Sequence, residues 1–343
     1  MPTDLPQHQQ GTHTVRQRRL PRLVSVPLFL VTAAMALVVF MRLVAWDDFQ
    51  PFAILNAFTA FLYLPAWIIL IVAAVGRRYV LAGLALAVVV AQVVFMLPEL
   101  TAAEPVPGWA AAAPTIRLLD ANTDHPNKDL SGYAKQISRF QPQLVTMEET
   151  NRVVAQQLNQ DGVLRDLPYQ IDIKSYGPSG FFVASHFPLT QTHIAYLYGR
   201  ALVVETVLQL PSGPQPLWVV HTIAPLPISF SQWQGGLADI GALLRARGPA
   251  NLLVAGDFNA TWGNRGFRAI LDTGLTDAAA ARGQAFDMTW NQFDHPIPPL
   301  ARIDHILTGP GVAVTQIRTD AGPGSDHRDL MATVAFDKPT RRQ

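Results

Sequence analysis

Three uncharged apolar runs fill most of the first third of this 343-residue chain, and they limit where that third can fold. Leu23–Met41 is free of charge over 19 residues, Phe52–Gly76 over 25 and Tyr79–Leu97 over 19. A helix crosses the hydrocarbon core of a bilayer with roughly 20 apolar residues, so each run is long enough. Buried helices of a water-soluble protein would keep a polar stripe, and none of these runs has one. A cleaved signal peptide does not fit a first run this long that is followed by two more. The expectation is three transmembrane helices within residues 23–98.

The flanks give an orientation. Arg16, Arg18, Arg19 and Arg22 precede the first run, and Arg77 and Arg78 separate the second from the third. The other short connection carries Asp47 and Asp48 against a single Arg42. Cationic loops stay in the cytoplasm. Residues 1–22, a polar tail, and the Arg77 loop are therefore expected inside, and everything beyond Leu97 outside. The expected localisation is a multi-pass protein of the cell membrane with an extracytoplasmic C-terminal part. Residues 99–114, rich in Ala and Pro, read as a linker that keeps that part near the surface. Trp109 sits either at the headgroup level or against the following domain.

Residues 115–338 have the mixed composition of one globular domain, long enough for a well-buried core. The chain has no cysteine, which excludes disulfides and thiolate metal sites and suits an oxidising compartment. Strand-like runs recur at Thr115–Leu119, Gln143–Met147, Gly180–Ser185, Ala201–Leu210, Leu217–His221, Asn251–Ala255, Ala301–Leu307, Val312–Arg318 and Asp329–Phe336. Helical patterns intervene at Asp129–Phe140, Thr150–Asn159, Ser231–Arg247 and Gly266–Leu271, the third capped by Ser229 or Ser231. Early helices alternate with strands, while middle strands follow one another through Pro/Gly turns. That order predicts an α+β fold of packed sheets with helices outside.

Polar side chains gather where these strands end. Asn122 and Asp124 follow the first, two apart and so on one face; Glu148 and Glu149 follow the second; His221 ends the Leu217–Val220 run. Asp257 and Asn259 follow Asn251–Ala255, with Phe258 between them turned toward the core. Asp304 and His305 sit within an apolar strand, and Asp326 and His327 precede the last one. An unpaired buried carboxylate is costly, so Asp304 calls for a partner, while His305 points to the opposite face. Asp257 and Asn259 read either as an Asx turn or as a site. One of Glu148 and Glu149 must point away from any ligand. Oxygen donors without sulfur suit Mg²⁺ or Mn²⁺.

In chain order, Asn122-x-Asp124, Leu144–Glu149, Ser185–Leu189, His221-Thr222, Gly256–Asn259, Arg302–Leu307 and Ser325–His327 resemble the motifs of the endonuclease/exonuclease/phosphatase family. The likeness runs from about Thr115 to Phe336. The apolar front also resembles a bacterial membrane-anchored subgroup, some members of which are associated with glycopeptide resistance. The resemblance implies a four-layer α/β/β/α (DNase I-like) sandwich and a metal-dependent phosphoric ester or diphosphate hydrolase. It implies Glu149 as principal ligand of Mg²⁺ or Mn²⁺, with Asn122, Asp124 and Asp326 completing or supporting the set. Asp257 would orient or deprotonate water, and Asn259 would hold phosphate or nucleophile. His327, backed by Asp304, would face the scissile phosphate, with His221 a second imidazole there. The acid that supports the first histidine in DNase-like nucleases is missing from Ser175–Phe182, and Glu205 is the substitute on offer.

Charge and tethering bear on the substrate. Residues 114–343 hold 19 Lys and Arg against 20 Asp and Glu, with no basic cluster except the tail at Arg341 and Arg342. Duplex binding draws affinity from cations facing phosphates, so nucleic acid is the second choice. A site held at the outer leaflet meets lipid-linked phosphates at high effective concentration. The expected substrate is thus a lipid-linked phosphate or diphosphate of the polyprenyl carrier type. An extracytoplasmic nuclease or nucleotidase is the alternative, and a non-catalytic tethered binding module a third. The Pro-rich loops Thr222–Ser229 and Asp294–Leu300 would cradle a lipid tail or merely set strand ends.

Overall fold

The computed structural model describes residues 21–125, 127, 129–151, 153–174, 177–290 and 298–337. The basic residues before position 21, Asp294, His295 and the Arg341–Arg342 tail lie outside the described residues. Of the apolar runs, two form helices long enough to cross a bilayer, α1 (Arg22–Val44) and α5 (Tyr79–Leu100). The middle run departs from the expected single span. It divides into α2 (Gln50–Ala57), α3 (Thr59–Leu62) and α4 (Leu64–Val75), with a bend of 78° between α2 and the α3–α4 stretch. Pro65 lacks an N–H and its ring crowds the preceding turn, which separates α3 from α4. At the sharper bend, polar side chains satisfy the loosened backbone. Thr59 Oγ1 donates to Asn56 O at 2.6 Å and accepts from Arg42 Nη1 at 2.6 Å, while Gln92 Nε2 donates to Ala60 O at 3.0 Å. Small residues let α4 and α5 approach closely, with Ala66, Ala73 and Ala85 buried between them.

The remainder is a sandwich built from β1 (Thr115–Asn122), α6 (Leu130–Phe140), β2 (Leu144–Glu148), α7 (Val154–Gln160), β3 (Tyr169–Ile173), β4 (Phe181–Ser185), β5 (Leu189–Leu197), β6 (Arg200–Leu210), β7 (Gly213–His221), α8 (Phe230–Arg247), β8 (Leu253–Asp257), α9 (Arg265–Leu271), β9 (Thr276–Asp277), α10 (Ala278–Ala281), β10 (Asp304–Thr308), β11 (Val312–Ala321) and β12 (Arg328–Phe336). Two six-stranded sheets result, ordered β11-β12-β1-β2-β4-β3 and β5-β6-β7-β8-β10-β9. Alternation assigns each strand two faces. In β1, Ile116 and Leu118 join the core between the sheets, whereas Leu119 and Ala121 pack outward with Tyr133 of α6 and Leu158 of α7. In β8, Leu253 and Ala255 face inward, and Val254, with Leu252 just before the strand, packs outward with Ile240 of α8 and Ile270 of α9. Helices therefore cover both outer faces of the paired sheets, as the resemblance implied.

Three strands, β3, β5 and β9, have no counterpart among the expected ones. All three lie at sheet edges. A strand paired on one side and facing water needs no apolar run, so its sequence carries a weak signal. Asp304 begins β10 instead of lying inside it, and Ser229 precedes α8 without capping it, its Oγ donating to Ala224 O at 2.7 Å.

The apolar helices dock on one end of the sandwich. Trp46 Nε1 donates to Gly263 O at 2.9 Å, and Asp47 Oδ2 accepts from Arg265 N at 2.6 Å. Asn264 Nδ2 donates to Ala53 O of α2 at 2.9 Å. Gly263 is glycine by necessity, because a Cβ there would lie 2.0 Å from Asn56 O. Glu99, at the end of α5, accepts from the buried guanidinium of Arg302 at 2.9 Å. Trp109 and Ala110 pack on Ala313 and Ala335, which settles the linker tryptophan against the domain. Arg77 and Arg78 line a recess with Ser25 and Leu30, at the start of α1 and so away from the docked end.

Candidate active site

Five inward-facing rows of side chains end in polar residues at the same edge of the sandwich. Leu118, Asp120 and Asn122 follow one another on β1, Leu144, Thr146 and Glu148 on β2, and Leu217, Val219 and His221 on β7. Leu253, Ala255 and Asp257 do so on β8, and on β10 Asp304 precedes Ile306. Register then sets the neighbours. His221 pairs with Asp257 across parallel β7–β8, and Asp304 with Asp257 across antiparallel β8–β10. Gly256 permits this closeness: its φ is +133°, and a Cβ would lie 2.1 Å from Val220 O.

Asp257 is the hub. Its Oδ1 accepts from Asn259 N at 2.7 Å, and its Oδ2 accepts from Asn122 Nδ2 at 2.9 Å and Asn259 Nδ2 at 3.0 Å. The Asx turn and the site are thus one structure. Asn259 adopts a φ of +47° and also donates to Thr222 O at 2.9 Å. Its side-chain amide hydrogens are thus engaged by Asp257 and Thr222, so the expected grip on a phosphate requires one to be released. Glu149 leaves β2 with φ +53°, which turns it to the site while Glu148 stays wholly buried between the sheets. Glu149 Oε1 lies 3.4 Å from His221 Nε2 and accepts from Asn122 Nδ2 at 3.4 Å.

On the other side, His327 Nδ1 donates to Asp304 Oδ2 at 2.9 Å, leaving Nε2 4.0 Å from Asp257 and 3.7 Å from Asp326. Asp304 has the partner its burial demanded. Ser325 Oγ donates to Asn122 O at 2.8 Å, stitching the His327 loop to β1. Asp326 accepts from Trp290 Nε1 at 3.0 Å. Asp124, held through its N–H by Asn122 Oδ1 at 3.0 Å, feels the charges of Asp326 and Glu149. All nine expected site residues therefore meet at one edge. His305, on the opposite face, pairs with Asp277 at 2.6 Å between Phe258 and Phe267.

Glu205 does not serve His221. It lies opposite Trp218, three residues back along β7, and faces His193 at 3.6 Å. His221 leans on Glu149 and Asp257, and the ring of Phe181 meets it edge-on with centroids 6.2 Å apart. Sequence reasoning missed Asp120, which lies beneath the site with Glu148, as well as Trp290 at its rim and Thr289, whose hydroxyl accepts from the Ile303 and Asp304 N–H groups. Period-two spacing of Asp120 with Asn122 was a signal available for the first.

Electrostatics separate the two sides. Burial, then the neighbouring Asp304, push Asp257 up to about 7 against the pull of His327 and His221. Burial pulls His327 down, but Asp304, Asp257 and Asp326 outweigh it and carry the imidazole to about 10. Burial would raise Glu149, yet His221 holds it below its ordinary value. Burial lifts Asp120 and Glu148 well above the ordinary carboxylate value. Asp257 and His327 are raised together, so the imidazole keeps the higher value of the two. The edge can thus offer a proton donor at His327 beside an acceptor at Asp257.

Donor atoms of Glu149, His221 and Asp257 lie within 4.8 Å of one another, as do those of Asp257, Asp304 and His327. The first set, with Asn122 beside it, fits a divalent cation, because a buried carboxylate lifted to about 7 is relieved by a positive neighbour. Such an ion would neutralise phosphate oxygens and acidify a bound water.

The sequence model of the Endonuclease/Exonuclease/phosphatase family matches residues 119–327. The chain belongs to that family. Members of the endonuclease/exonuclease/phosphatase family are metal-dependent phosphoester hydrolases. No curated protein sequence matches. Solved structures with the same fold include a variant of the 3′ phosphatase NExo from Neisseria bound to product DNA hairpin, at 17% identity and TM-score 0.52, over 65% of this chain and 99% of that one. An AP endonuclease from Archaeoglobus fulgidus is similar at 15% identity and TM-score 0.52, over 65% and 99%. A member from Beutenbergia cavernae is similar at 15% and 0.51, over 65% and 72%.

Proposed function

We propose that this chain is a membrane-anchored, divalent-metal-dependent phosphohydrolase that acts outside the cytoplasm on a lipid-linked phosphate or diphosphate of the polyprenyl carrier type. The observation that carries the reading is the docking of α2 on the loop that follows Asn259, through Ala53, Asn264 and Gly263. A reactive edge held against apolar helices meets substrates that lie in the same bilayer, at high effective concentration. The bent middle run counts as a third span in this reading, with the N-terminus and Arg77 inside. Glu149 is the principal metal ligand, supported by Asn122, Asp124 and Asp326, and Asp257 and His327 are the proton acceptor and donor. Turnover of a cell-wall lipid carrier would connect the enzyme to glycopeptide resistance.

Nucleic acid is the second reading, because the Neisseria 3′ phosphatase structure holds a DNA product. Against it stand the near-even charge of the domain and the lack of a basic stripe. The deciding assay is phosphate release from a polyprenyl diphosphate by the purified chain in detergent with Mg²⁺ or Mn²⁺. Plasmid DNA and an Asp257→Ala variant run alongside. Release that is lost with EDTA and with the variant, DNA staying intact, supports the lipid enzyme. Cut DNA with intact lipid transfers the case to a nuclease, and silence on both favours a binding module.

A further inference from the structure

Between α2 and the rim of the site lies a cavity of about 180 Å³. Ala57 forms part of one wall, Ala224 and Leu226 part of the facing one, and Trp233, Asn259 and Trp290 close it toward the reactive edge. The side-chain N–H groups of these last three are already spent. Trp233 Nε1 donates to Asn259 O at 2.9 Å, Asn259 Nδ2 to Asp257 at 3.0 Å and Trp290 Nε1 to Asp326 at 3.0 Å. The cavity therefore offers an occupant apolar surface and almost nothing to hydrogen-bond. Leu226 is 57% exposed although it lines the cavity, and nearby Ile228 is 92% exposed. The loop that bears them is tied to α2 by Gln50 Nε2, which donates to Pro225 O at 3.1 Å. The mouth of the cavity is thus apolar and adjoins the docked helices.

We propose that this cavity is the subsite for the first hydrocarbon unit of the substrate, with its phosphate end at Asp257 and His327. The proposal rests on the lipid-linked reading above and adds where, and how much of, the chain is held. An engineered apolar cavity of about 150 Å³ stays dry and binds benzene, so this one holds about one five- or six-carbon unit. The occupant is an aliphatic chain bearing a terminal phosphate. A nucleobase or sugar would leave its own polar groups unpaired here. Asn259 and Trp290 each touch both the cavity and a site carboxylate, so filling it bears on the reactive geometry directly.

The test uses the full chain in detergent with a water-soluble series: methyl diphosphate, dimethylallyl diphosphate and geranyl diphosphate. The expected kcat/KM rises at least about tenfold from the one-carbon to the five-carbon substrate, as burial of several methylenes implies, and much less from five to ten carbons. Ala57→Phe and Ala224→Phe, which fill the cavity from opposite walls, should each remove the first step while leaving methyl diphosphate turnover within about twofold. A rise retained in both variants, or absent from the wild-type chain, overturns the subsite. If none of the series is hydrolysed, the functional reading has failed on its own, and binding of dimethylallyl phosphonate then decides the cavity. Tenfold weaker binding by either filled variant supports it, and equal binding by all three proteins rejects it.

Discussion

At the scale of single residues, the site sets two strongly raised titrating groups a few ångströms apart. Asp257 Oδ2 and His327 Nε2 lie 4.0 Å apart, with the carboxyl lifted to about 7 and the imidazole to about 10. Removing the acceptor should matter most: Asp257→Asn is expected to lower kcat/KM by about 10²-fold or more in a phosphate-release assay. The pH profile in Mg²⁺ should rise below about 7, as Asp257 gives up its proton beside the cation, and fall toward about 10 as His327 loses its charge. Raising the Mg²⁺ concentration should shift the rising limb to lower pH, because cation and proton compete for one carboxylate. Stability of the metal-free chain carries the same signature. Between 3.8 and about 7 the folded chain binds a proton at Asp257 that the unfolded chain has released, so stability falls as pH rises through that window. The raised His327 is fully stabilising below 6.5, and that contribution is lost as pH rises through about 10. Thermal unfolding in EDTA at pH 5 and pH 8 should show a smaller loss for Asp257→Asn than for the wild type; parallel losses would count against the assignment.

At the scale of elements, strand register brings the residues together and close backbone approach keeps them there. Gly256→Ala forces a Cβ against Val220 O at a positive φ, and the expected cost exceeds about 3 kcal/mol by chemical denaturation. The contact of α5 with the sandwich is equally specific. Arg302 is 1% exposed at its side chain and lies between Glu99 at 2.9 Å and Asp277 at 3.1 Å. Asp277 in turn holds His305 on β10, next to Asp304. Glu99→Ala strips one partner from a buried guanidinium and should cost about 2–3 kcal/mol in detergent, with Glu99→Gln recovering part of it. A Glu99→Ala protein as stable as the wild type would show that the helix end merely rests on the domain.

At the scale of the molecule, Arg77 and Arg78 and the sandwich lie at opposite ends of the apolar helices, which makes topology directly measurable. The chain has no cysteine, so single substitutions report cleanly. With a membrane-impermeant maleimide on intact cells, Gly108→Cys should label and Arg78→Cys should not. The reverse pattern would put the reactive edge in the cytoplasm and end the proposal of an extracytoplasmic carrier substrate.

The DNase I-like sandwich followed from the family resemblance, whereas the long apolar helices, packed sheets with helices outside and polar strand ends were legible in the residues themselves. Those features are written locally, as charge-free length, two-residue alternation and polar residues at the ends of apolar strands. Edge strands such as β3 and β5 were illegible because water, not a neighbour, shapes them. Which residues touch is set by packing between distant segments. The 78° bend depends on Arg42 and Gln92 reaching Thr59 and Ala60 from other helices, and no local pattern records that. The choice of Glu149 over Glu148 turned on one positive φ, and the neighbours of His221 on strand register. The apolar cavity beside Asn259 exists only because α2 packs against the loops after β7 and β8, residues more than 150 positions away in the chain. Contacts over that distance follow from packing energy summed across the whole fold, which is why a reading of neighbours in sequence cannot reach them.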